Sequence, residues 1–394
     1  MVGLKKEIRI GMVGYKFMGK AHSHAYRDAP FFFKLGLNPV RQAICGRNED
    51  GVREAAEQYG WNSYETDWRE LIARDDIDLI DIVTPNNNHA EIAITAAEAG
   101  KHVFCEKPLA MTLEESKRML EAVEKNNVIH MVNYNYRFSP AVQYAKKLID
   151  EGRIGKIFHI RANYLQDWIM NPDFPLVWRL EKSVSGSGSH GDLAAHLIDL
   201  ARFLVGEFDE VSGMLETFIK ERPAVEDSSG LSGVASTTDF RKVEVDDASI
   251  FLAKFKNGAL GTFEATRFAG GNRNANKFEI NGEKGSIKWN AENLNELDVY
   301  FASDEEGLQG FRKINCTEES HPYANAYWPA AHIIGYEHTF INLIVELMKG
   351  LERGESTSPN FVDGYINQAI MEAVEKSSEN KTWEKIDKYI EEEI

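Results

Sequence analysis

The sequence predicts two domains of different class: an α/β domain on a parallel sheet, then an α+β domain with a large, open mixed or antiparallel sheet. Three observations predict this. Residues 7–135 alternate between apolar runs of strand length and stretches of helical period. A glycine-bearing turn, GYKFMG, joins the first run to the first helix. After about residue 135 the alternation stops, and several strand candidates follow one another with a single helix among them. At roughly 100 to 200 residues per domain, a chain of 394 residues accommodates both. The expected domains are 1–135 and 136–394, with the C-terminal helices able to pack back on the first.

The apolar runs of the first domain are IRIGMV, RQAIC, DLIDIV, HVFC and IHMVN. They are apolar without alternation, as strands covered on both faces are. Helix-period stretches at 18–28, 49–59, 68–74, 89–99 and 112–126 separate them, which implies right-handed βαβ units. Thr112 and Glu115 have capping-box spacing ahead of Met119, Leu120 and Val123. In the second domain KIFHIRANYL (156–165) is strand-like and 192–205 is helical. EVSGMLETFI, ASIFLAKF, GALGTFEATRF, KFEINGE and GSIKWN then read as strands, with KNGA as a hairpin turn. Residues 221–245, polar and small, read as a loop. Helix returns at 332–350 and 361–377.

Composition excludes several function classes. With 45 basic against 62 acidic residues the formal charge is −17, a field that repels nucleic acid and anionic membranes. Cys45, Cys105 and Cys316 are scattered, with no CxxC pair, which points to a reducing compartment and away from a disulfide framework. The N-terminal stretch passes almost directly into a strand without a signal-peptide pattern. No apolar run is long enough to span a bilayer. The expectation is a cytoplasmic protein with neither nucleic acid nor membrane as partner.

The turn Gly14-Tyr15-Lys16-Phe17-Met18-Gly19 follows a strand and opens a helix. That is the arrangement by which a Rossmann dinucleotide-binding domain offers backbone N–H groups and a helix dipole to a pyrophosphate. The first and last glycines of the fingerprint are present; Lys16 stands in the middle position. Its side chain must point outward, where its ammonium could neutralise phosphate. A plain tight strand–helix turn explains the same residues. After the second strand comes Cys45-Gly46-Arg47-Asn48. Gly46 replaces the acid that would bind a ribose 2′-OH, and Arg47 could meet a 2′-phosphate or stack on adenine. NAD and NADP both stay open, with Arg47 leaning to NADP.

Two further sites carry chemistry. Glu106-Lys107-Pro108 ends a buried strand, at the edge where open α/β sheets bind ligands. A poorly solvated lysine there can hydrogen-bond a hydroxyl and ease its deprotonation, although a loop lysine is the plainer reading. Asp192 and His196 are four apart on a predicted helix, so they share a face. The imidazole can accept an alcohol proton; alone, it reads as a satisfied core histidine. A metal held by Asp192, His196 and Asp199 is disfavoured, because one helix cannot surround it. No metal is expected.

VTPNNNHAEIAITAAEAGKHVFCEKPLA (83–110), NYNYRFSPA (133–141) and the Asp192–His196–Asp199 spacing resemble the Gfo/Idh/MocA oxidoreductases over nearly the whole chain. Within that family GYKFMG, CGRN and WPAAHIIGYEHTF look most like the levoglucosan dehydrogenase group, which favours NAD and oxidation at ring carbon C3. The resemblance implies that hydride passes between a ring carbon of a sugar, anhydrosugar or inositol and nicotinamide. Lys107, Asp192 and His196 match the acid/base trio. Thr84, Pro85, Asn86, Asn88 and His89, with Glu106 and Lys107, match the turns beside the nicotinamide ribose. Asn88 would also cap the following helix. Arg137 matches a residue near the nicotinamide, or is a structural arginine packing on Tyr136. Tyr136, Gln166, Trp168, Arg179 and His332, the last with Trp328, are candidates for the sugar pocket beside Asp192 and His196. A sugar needs an aromatic face for its C–H groups and amides or guanidinium for its hydroxyls.

Three features depart from the common family pattern: Lys16, the missing acid after the second strand, and FFFKLGLNP (31–39). That last stretch lengthens the first crossover, with its phenylalanines buried or covering the adenosine side. A non-catalytic dinucleotide-binding regulator is the alternative from another class. A second is an enzyme holding NAD as a prosthetic group for glycosidase-type chemistry. The open sheet face, which cannot stay bare in water, predicts a homodimer or homotetramer.

Overall fold

The computed structural model describes residues 6–229 and 232–390, and only the backbone at 226–229. The chain divides into two compact units. One is Met1–Asn135 with Tyr336–Tyr365; the other is Tyr136–Gly335 with Ile366–Ile394.

In the first unit the order is β1 (Lys6–Val13), α1 (Phe17–Phe32), β2 (Leu37–Cys45), α2 (Glu49–Tyr59), β3 (Ser63–Glu65), α3 (Trp68–Ala73), β4 (Leu79–Ile82), α4 (His89–Glu98), β5 (His102–Cys105), α5 (Leu113–Lys125) and β6 (His130–Val132). The strands form one parallel sheet in the order β3-β2-β1-β4-β5-β6. This is the doubly wound Rossmann order, whose direction reverses between β1 and β4. Apolar runs became strands because both faces are covered: Ile10, Met12, Leu79, Ile80, Val103 and Phe104 are all 0% exposed. Helix starts follow capping chemistry. Asn48 accepts from the Gly51 N–H at 2.7 Å, and Thr112 accepts from the Glu115 N–H at 3.1 Å. The Glu115 carboxylate reaches back to the Met111 N–H at 3.0 Å, which closes the expected box one residue early.

One strand was missed here, and one of two expectations for FFFKLGLNP, that its phenylalanines are buried, is corrected. The short strand β3 reads SYE and is half-buried throughout, so it carries no apolar run to betray it. The FFFKLGLNP stretch extends α1 to Phe32, and Phe31 is 80% exposed rather than buried.

The second unit contains α6 (Pro140–Asp150), β7 (Ile157–Leu165), α7 (Lys182–Ser185), a single turn of π-helix (His190–Ala194) and α8 (Ala195–Leu204). Next come β8 (Phe208–Glu216), β9 (Glu221–Ser229), β10 (Ser232–Lys242), β11 (Ala248–Phe255), β12 (Leu260–Thr266), β13 (Ala275–Gly282), β14 (Gly285–Asn290), β15 (Glu296–Phe301) and β16 (Arg312–Asn315). Then follow α9 (Glu337–Arg353), which belongs to the first unit, α10 (Phe361–Asn380), which spans the division at Tyr365, and β17 (Glu384–Lys385). Nine strands form one sheet in the order β16-β15-β14-β13-β7-β12-β11-β8-β17. Only the β7–β12 pair is parallel, so the sheet is mixed.

The stretch 221–245, expected as a loop, is largely an antiparallel ribbon of β9 and β10; residues 230 and 231 lie outside the described residues. Most of β10 is exposed on both sides. A two-stranded ribbon without a buried face has no reason to alternate apolar and polar residues, which is why its sequence is silent. Strand β16, a mostly exposed edge strand, is equally unmarked; β15 is not, since ELDVYF alternates with Leu297 and Val299 buried.

Arg137 and Asp199 brace this unit. The guanidinium forks onto the carboxylate of α8, with Nε to Oδ2 at 2.7 Å and Nη2 to Oδ1 at 2.6 Å. Both side chains are almost wholly buried, 5% and 2% exposed, and Asn367 donates to the same carboxylate at 3.2 Å. Removing one partner of a buried pair strands the other charge. Asp199→Ala is therefore expected to lower the unfolding free energy by about 3–5 kcal/mol, measured by urea denaturation.

Candidate active site

Each unit presents one cluster of functional side chains. In the first unit the cluster lies along the carboxyl ends of the parallel strands. Gly14 leaves β1 with φ +115°, and a Cβ there would stand 2.8 Å from the Val83 carbonyl, so only glycine fits. A Cβ at Gly19 would lie 2.6 Å from the Gly14 carbonyl, so this glycine lets α1 start close beneath the turn. Lys16 is exposed, Met18 is half-buried and Phe17 is 51% exposed. No side chain caps α1 and its first turn holds no acid. Such an end suits an anion, because its N–H groups and dipole are uncompensated.

The structure explains the missing acid after β2. The Tyr15 ring lies against Gly46, where a Cβ would come within 2.3 Å of it; the Tyr15 hydroxyl lies over Gly51. A larger side chain at position 46 and this tyrosine exclude each other. Arg47 is exposed beside them.

Below this edge lies a charge cluster that sequence reasoning missed. His22 of α1 is 1% exposed, with Nδ1 2.9 Å from Asp81 Oδ2 of β4 and Nε2 3.0 Å from Glu106 Oε1. Two acids facing two ring nitrogens favour an N–H on both, and so the imidazolium. Burial opposes that charge, but Asp81 and Glu106 outweigh it and raise the pKa to about 10. Burial raises Asp81 despite His22. Burial would raise Glu106 too, yet His22, Lys107 and Asn133 hold it below its ordinary value. Asn133 donates to Glu106 Oε1 at 2.6 Å, and Glu106 Oε2 accepts the Lys107 backbone N–H at 3.1 Å. A signal existed: Asp81 sits inside the apolar run DLIDIV, and an acid buried in a central strand needs a partner.

Lys107 is half-buried, while Thr84, Pro85 and Asn86 line the neighbouring turn, also half-buried. The Thr84 hydroxyl is buried without a hydrogen-bond partner. His89 is 0% exposed, with Nδ1 3.1 Å from the Pro108 carbonyl and Nε2 3.1 Å from the Thr84 carbonyl. Burial lowers its pKa. The neutral ring lies between the two turns and can donate to only one of these carbonyls at a time. Asn88 makes no capping bond to α4, because a 3-10 turn (Asn86–Asn88) leads straight into that helix; its amide donates to Asn87 Oδ1 at 2.8 Å instead.

In the second unit the π-turn carries Asp192 into α8. Asp246 fixes its start, accepting from the Gly188 N–H at 2.8 Å, the His190 N–H at 2.8 Å and the Ser189 hydroxyl at 2.5 Å. Such π-turns recur at functional sites. Asp192 accepts from Arg267 Nη2 at 2.8 Å. His196, 6% exposed, meets Tyr136 edge-on with ring centroids 4.9 Å apart and lies 6.0 Å from Tyr164. Tyr136 and Tyr164 share a hydroxyl contact of 2.9 Å. Asn274 binds both hydroxyls, at 3.2 and 2.6 Å, and takes the Gln166 amide at 2.9 Å. Trp168 Nε1 closes the chain on Gln166 Oε1 at 2.8 Å.

Of the expected pocket residues, Tyr136, Gln166, Trp168 and His196 are thus brought together; Tyr164, Asn274 and Arg267 were missed. The Arg179 guanidinium lies over its neighbour Trp178, 4.3 Å from the ring centroid. His332 is exposed, with its ring 2.9 Å from the Pro329 carbonyl of its own loop. Arg137 forks onto Asp199, and that pairing engages the carboxylate the metal alternative would need. Among the described residues no group of three acidic, histidine or cysteine side chains is arranged to hold a metal.

Residues 8–134 match the model described as the oxidoreductase family with an NAD-binding Rossmann fold, and residues 142–288 match the GFO/IDH/MocA C-terminal domain. The chain belongs to the Gfo/Idh/MocA oxidoreductase family. It is 46% identical over 382 residues to a levoglucosan dehydrogenase of Pseudarthrobacter phenanthrenivorans, spanning 96% of this chain and 98% of that protein. A structure of levoglucosan dehydrogenase in complex with NADH and levoglucosan superposes with a TM-score of 0.91 at 46% identity, covering 96% of this chain and 99% of that one. An oxidoreductase domain protein of Kribbella flavida gives 0.92 at 48% identity, covering 97% and 99%. A myo-inositol 2-dehydrogenase of Thermotoga maritima is 29% identical across 97% of this chain and 100% of its own. The Gfo/Idh/MocA assignment agrees with the cradle itself: the uncapped α1, the positive φ of Gly14 and the orphaned Thr84 hydroxyl fit a dinucleotide. Among the described residues no helix is long and apolar enough to cross a membrane.

His22 gives a pH-dependent prediction. Its folded pKa of about 10 lies above the ordinary value of 6.5. The stabilisation is therefore complete below about pH 6.5 and is lost as pH rises through 10. His22→Gln should lower thermal stability at pH 7, and the gap to the wild type should narrow between pH 7 and 10.

Proposed function

We propose that the protein is an NAD-dependent dehydrogenase acting on a ring hydroxyl of a cyclic sugar or anhydrosugar, first among them a levoglucosan-like pyranose oxidised at C3. One observation carries this reading. His196 stands edge-on to Tyr136 at the end of a hydrogen-bonded wall of Tyr136, Tyr164, Asn274, Gln166 and Trp168. Aromatic faces for C–H groups and amides for hydroxyls are what a polyol ring requires. The 46% identity to levoglucosan dehydrogenase supports the substrate class.

In this reading a ring nitrogen of His196 takes the hydroxyl proton. Lys107 Nζ is the candidate to hydrogen-bond a substrate oxygen on which negative charge develops. Asp192 orients the sugar or the imidazole. Bound NAD supplies the hydride acceptor at nicotinamide C4. The α1 N-terminus, Gly14 and Lys16 receive the pyrophosphate, with Thr84, Pro85 and Asn86 at the nicotinamide ribose. NAD is preferred over NADP because the NAD-binding model spans residues 8–134 and the related levoglucosan dehydrogenase was solved with NADH. Three buried, unpaired cysteines support a reducing, cytoplasmic setting.

A panel of cyclic sugars and inositols with NAD and with NADP, followed at 340 nm, the absorbance of reduced nicotinamide, tests the assignment. Levoglucosan with NAD should give the highest kcat/KM. His196→Ala and Lys107→Ala should each lower kcat by about 10²–10⁴-fold; wild-type turnover in either variant contradicts its role.

The outer face of the nine-stranded sheet supports a homodimer or homotetramer. Met214, Ile250, Leu252 and Leu260 are 57%, 46%, 48% and 48% exposed there, and Met214 pairs directly with Ile250 across β8 and β11. Light scattering should give a dimer or tetramer, and Leu252→Glu should shift it towards monomer. A wild-type monomer at micromolar concentration contradicts this assembly.

A further inference from the structure

Arg267 is a fully buried charge of the second unit. It directly follows β12 and is 0% exposed. Its Nη2 donates to Asp192 Oδ2 at 2.8 Å and approaches the Gly188 carbonyl at 3.3 Å. Its Nε and Nη1 are buried with no hydrogen-bond partner. The guanidinium carbon stands 5.4 Å from the Trp168 ring centroid. Burying a guanidinium with its Nε and Nη1 donors idle is unfavourable, and Asp192 itself is only partly buried, with its side chain 26% exposed. Surface charge pairing would not require such a residue. A rigid, permanently charged fork does serve to hold one carboxylate oxygen fixed beside an aromatic wall.

We propose that Arg267 is a positioning residue: it fixes the charge and direction of Asp192 and, through its face on Trp168, sets the acid/base helix in register with the sugar wall. The inference rests on the dehydrogenase reading of this site. Lysine cannot replace the fork, since its ammonium is a compact point charge on a flexible stem. It does restore the charge, which separates the two contributions.

The test is a double-mutant cycle with Arg267→Met, Asp192→Asn and both together, with Arg267→Lys alongside. Readouts are kcat and KM for the best sugar, NAD affinity by calorimetry, and sugar affinity of the NAD-loaded protein. Misplacement of a reacting group by about 1 Å can cost 10²-fold in rate. Arg267→Met should therefore lose about 10- to 100-fold in kcat while NAD affinity stays within about twofold. Arg267→Lys should recover part of the loss. The double variant should be no worse than Asp192→Asn alone.

Additive losses in the cycle, or wild-type kcat and KM in Arg267→Met, overturn the proposal. If Arg267→Met does not fold, the cycle is read with Arg267→Lys, where additivity has the same meaning. Absence of turnover by the wild type on every sugar would instead count against the dehydrogenase reading. The sugar affinities then carry the Arg267 comparison: weaker binding in Arg267→Met with unchanged NAD affinity supports it, and unchanged sugar binding overturns it.

Discussion

The first unit depends on a histidine cation held between two buried acids. His22 on α1 bridges Asp81 on β4 and Glu106 at the end of β5, and Asn133 just past β6 completes the bracket. Neither carboxylate would be tolerable there alone, and the ring could not hold two protons without both. Three strands and a helix are thereby fixed by one set of charges. Phe104 stacks on the imidazole at 5.1 Å and Phe340 of α9 packs at 5.7 Å, which keeps water from it. The consequence for chemistry is geometric. Glu106 accepts the Lys107 backbone N–H, so the turn bearing the candidate lysine is anchored to the core rather than left as a free loop. The same helix presents its uncapped end at the glycine turn.

The second unit uses the same device with other residues. Asp246 fixes the start of the π-turn, Arg267 holds Asp192, and the Arg137–Asp199 fork braces the next turn of α8. Each is a polar group bound inside or at the end of an apolar framework, so its position is set by packing rather than by solvent. Preorganisation of this kind lets a site meet developing charge without rearranging. The Tyr136–Asn274–Gln166–Trp168 wall adds a surface whose donors and acceptors are already oriented.

The fold was legible wherever burial imposed a period on the sequence. Continuous apolar runs announced β1, β2, β4, β5 and β6, and the Asn48 and Thr112 caps follow from local hydrogen bonding. The β9–β10 ribbon and β16 were silent because their residues face solvent or lie at a sheet edge; β15 was legible in the alternation of ELDVYF, with Leu297 and Val299 buried, and was missed. Within the two candidate clusters, Lys107, Asp192 and His196 stand on recognisable strings. Their holders do not. Arg267 and Asn274 reach the site from distant strands, and only the nine-strand register brings them beside residues 136–196. His22 lay in plain view in the opening helix, but its partners are 59 and 84 residues away. Gly46 stands where a ribose-binding acid would, and Tyr15 occupies the space such a side chain needs.

In an NAD-dependent sugar dehydrogenase a hydride passes directly from a sugar ring carbon to nicotinamide. Levoglucosan deuterated at C3 tests this most directly, with the reduced nicotinamide recovered and analysed by mass spectrometry and proton NMR. The account predicts that the deuterium appears at C4 of the dinucleotide. Unlabelled reduced nicotinamide from the deuterated sugar, or label washed into water, would contradict it.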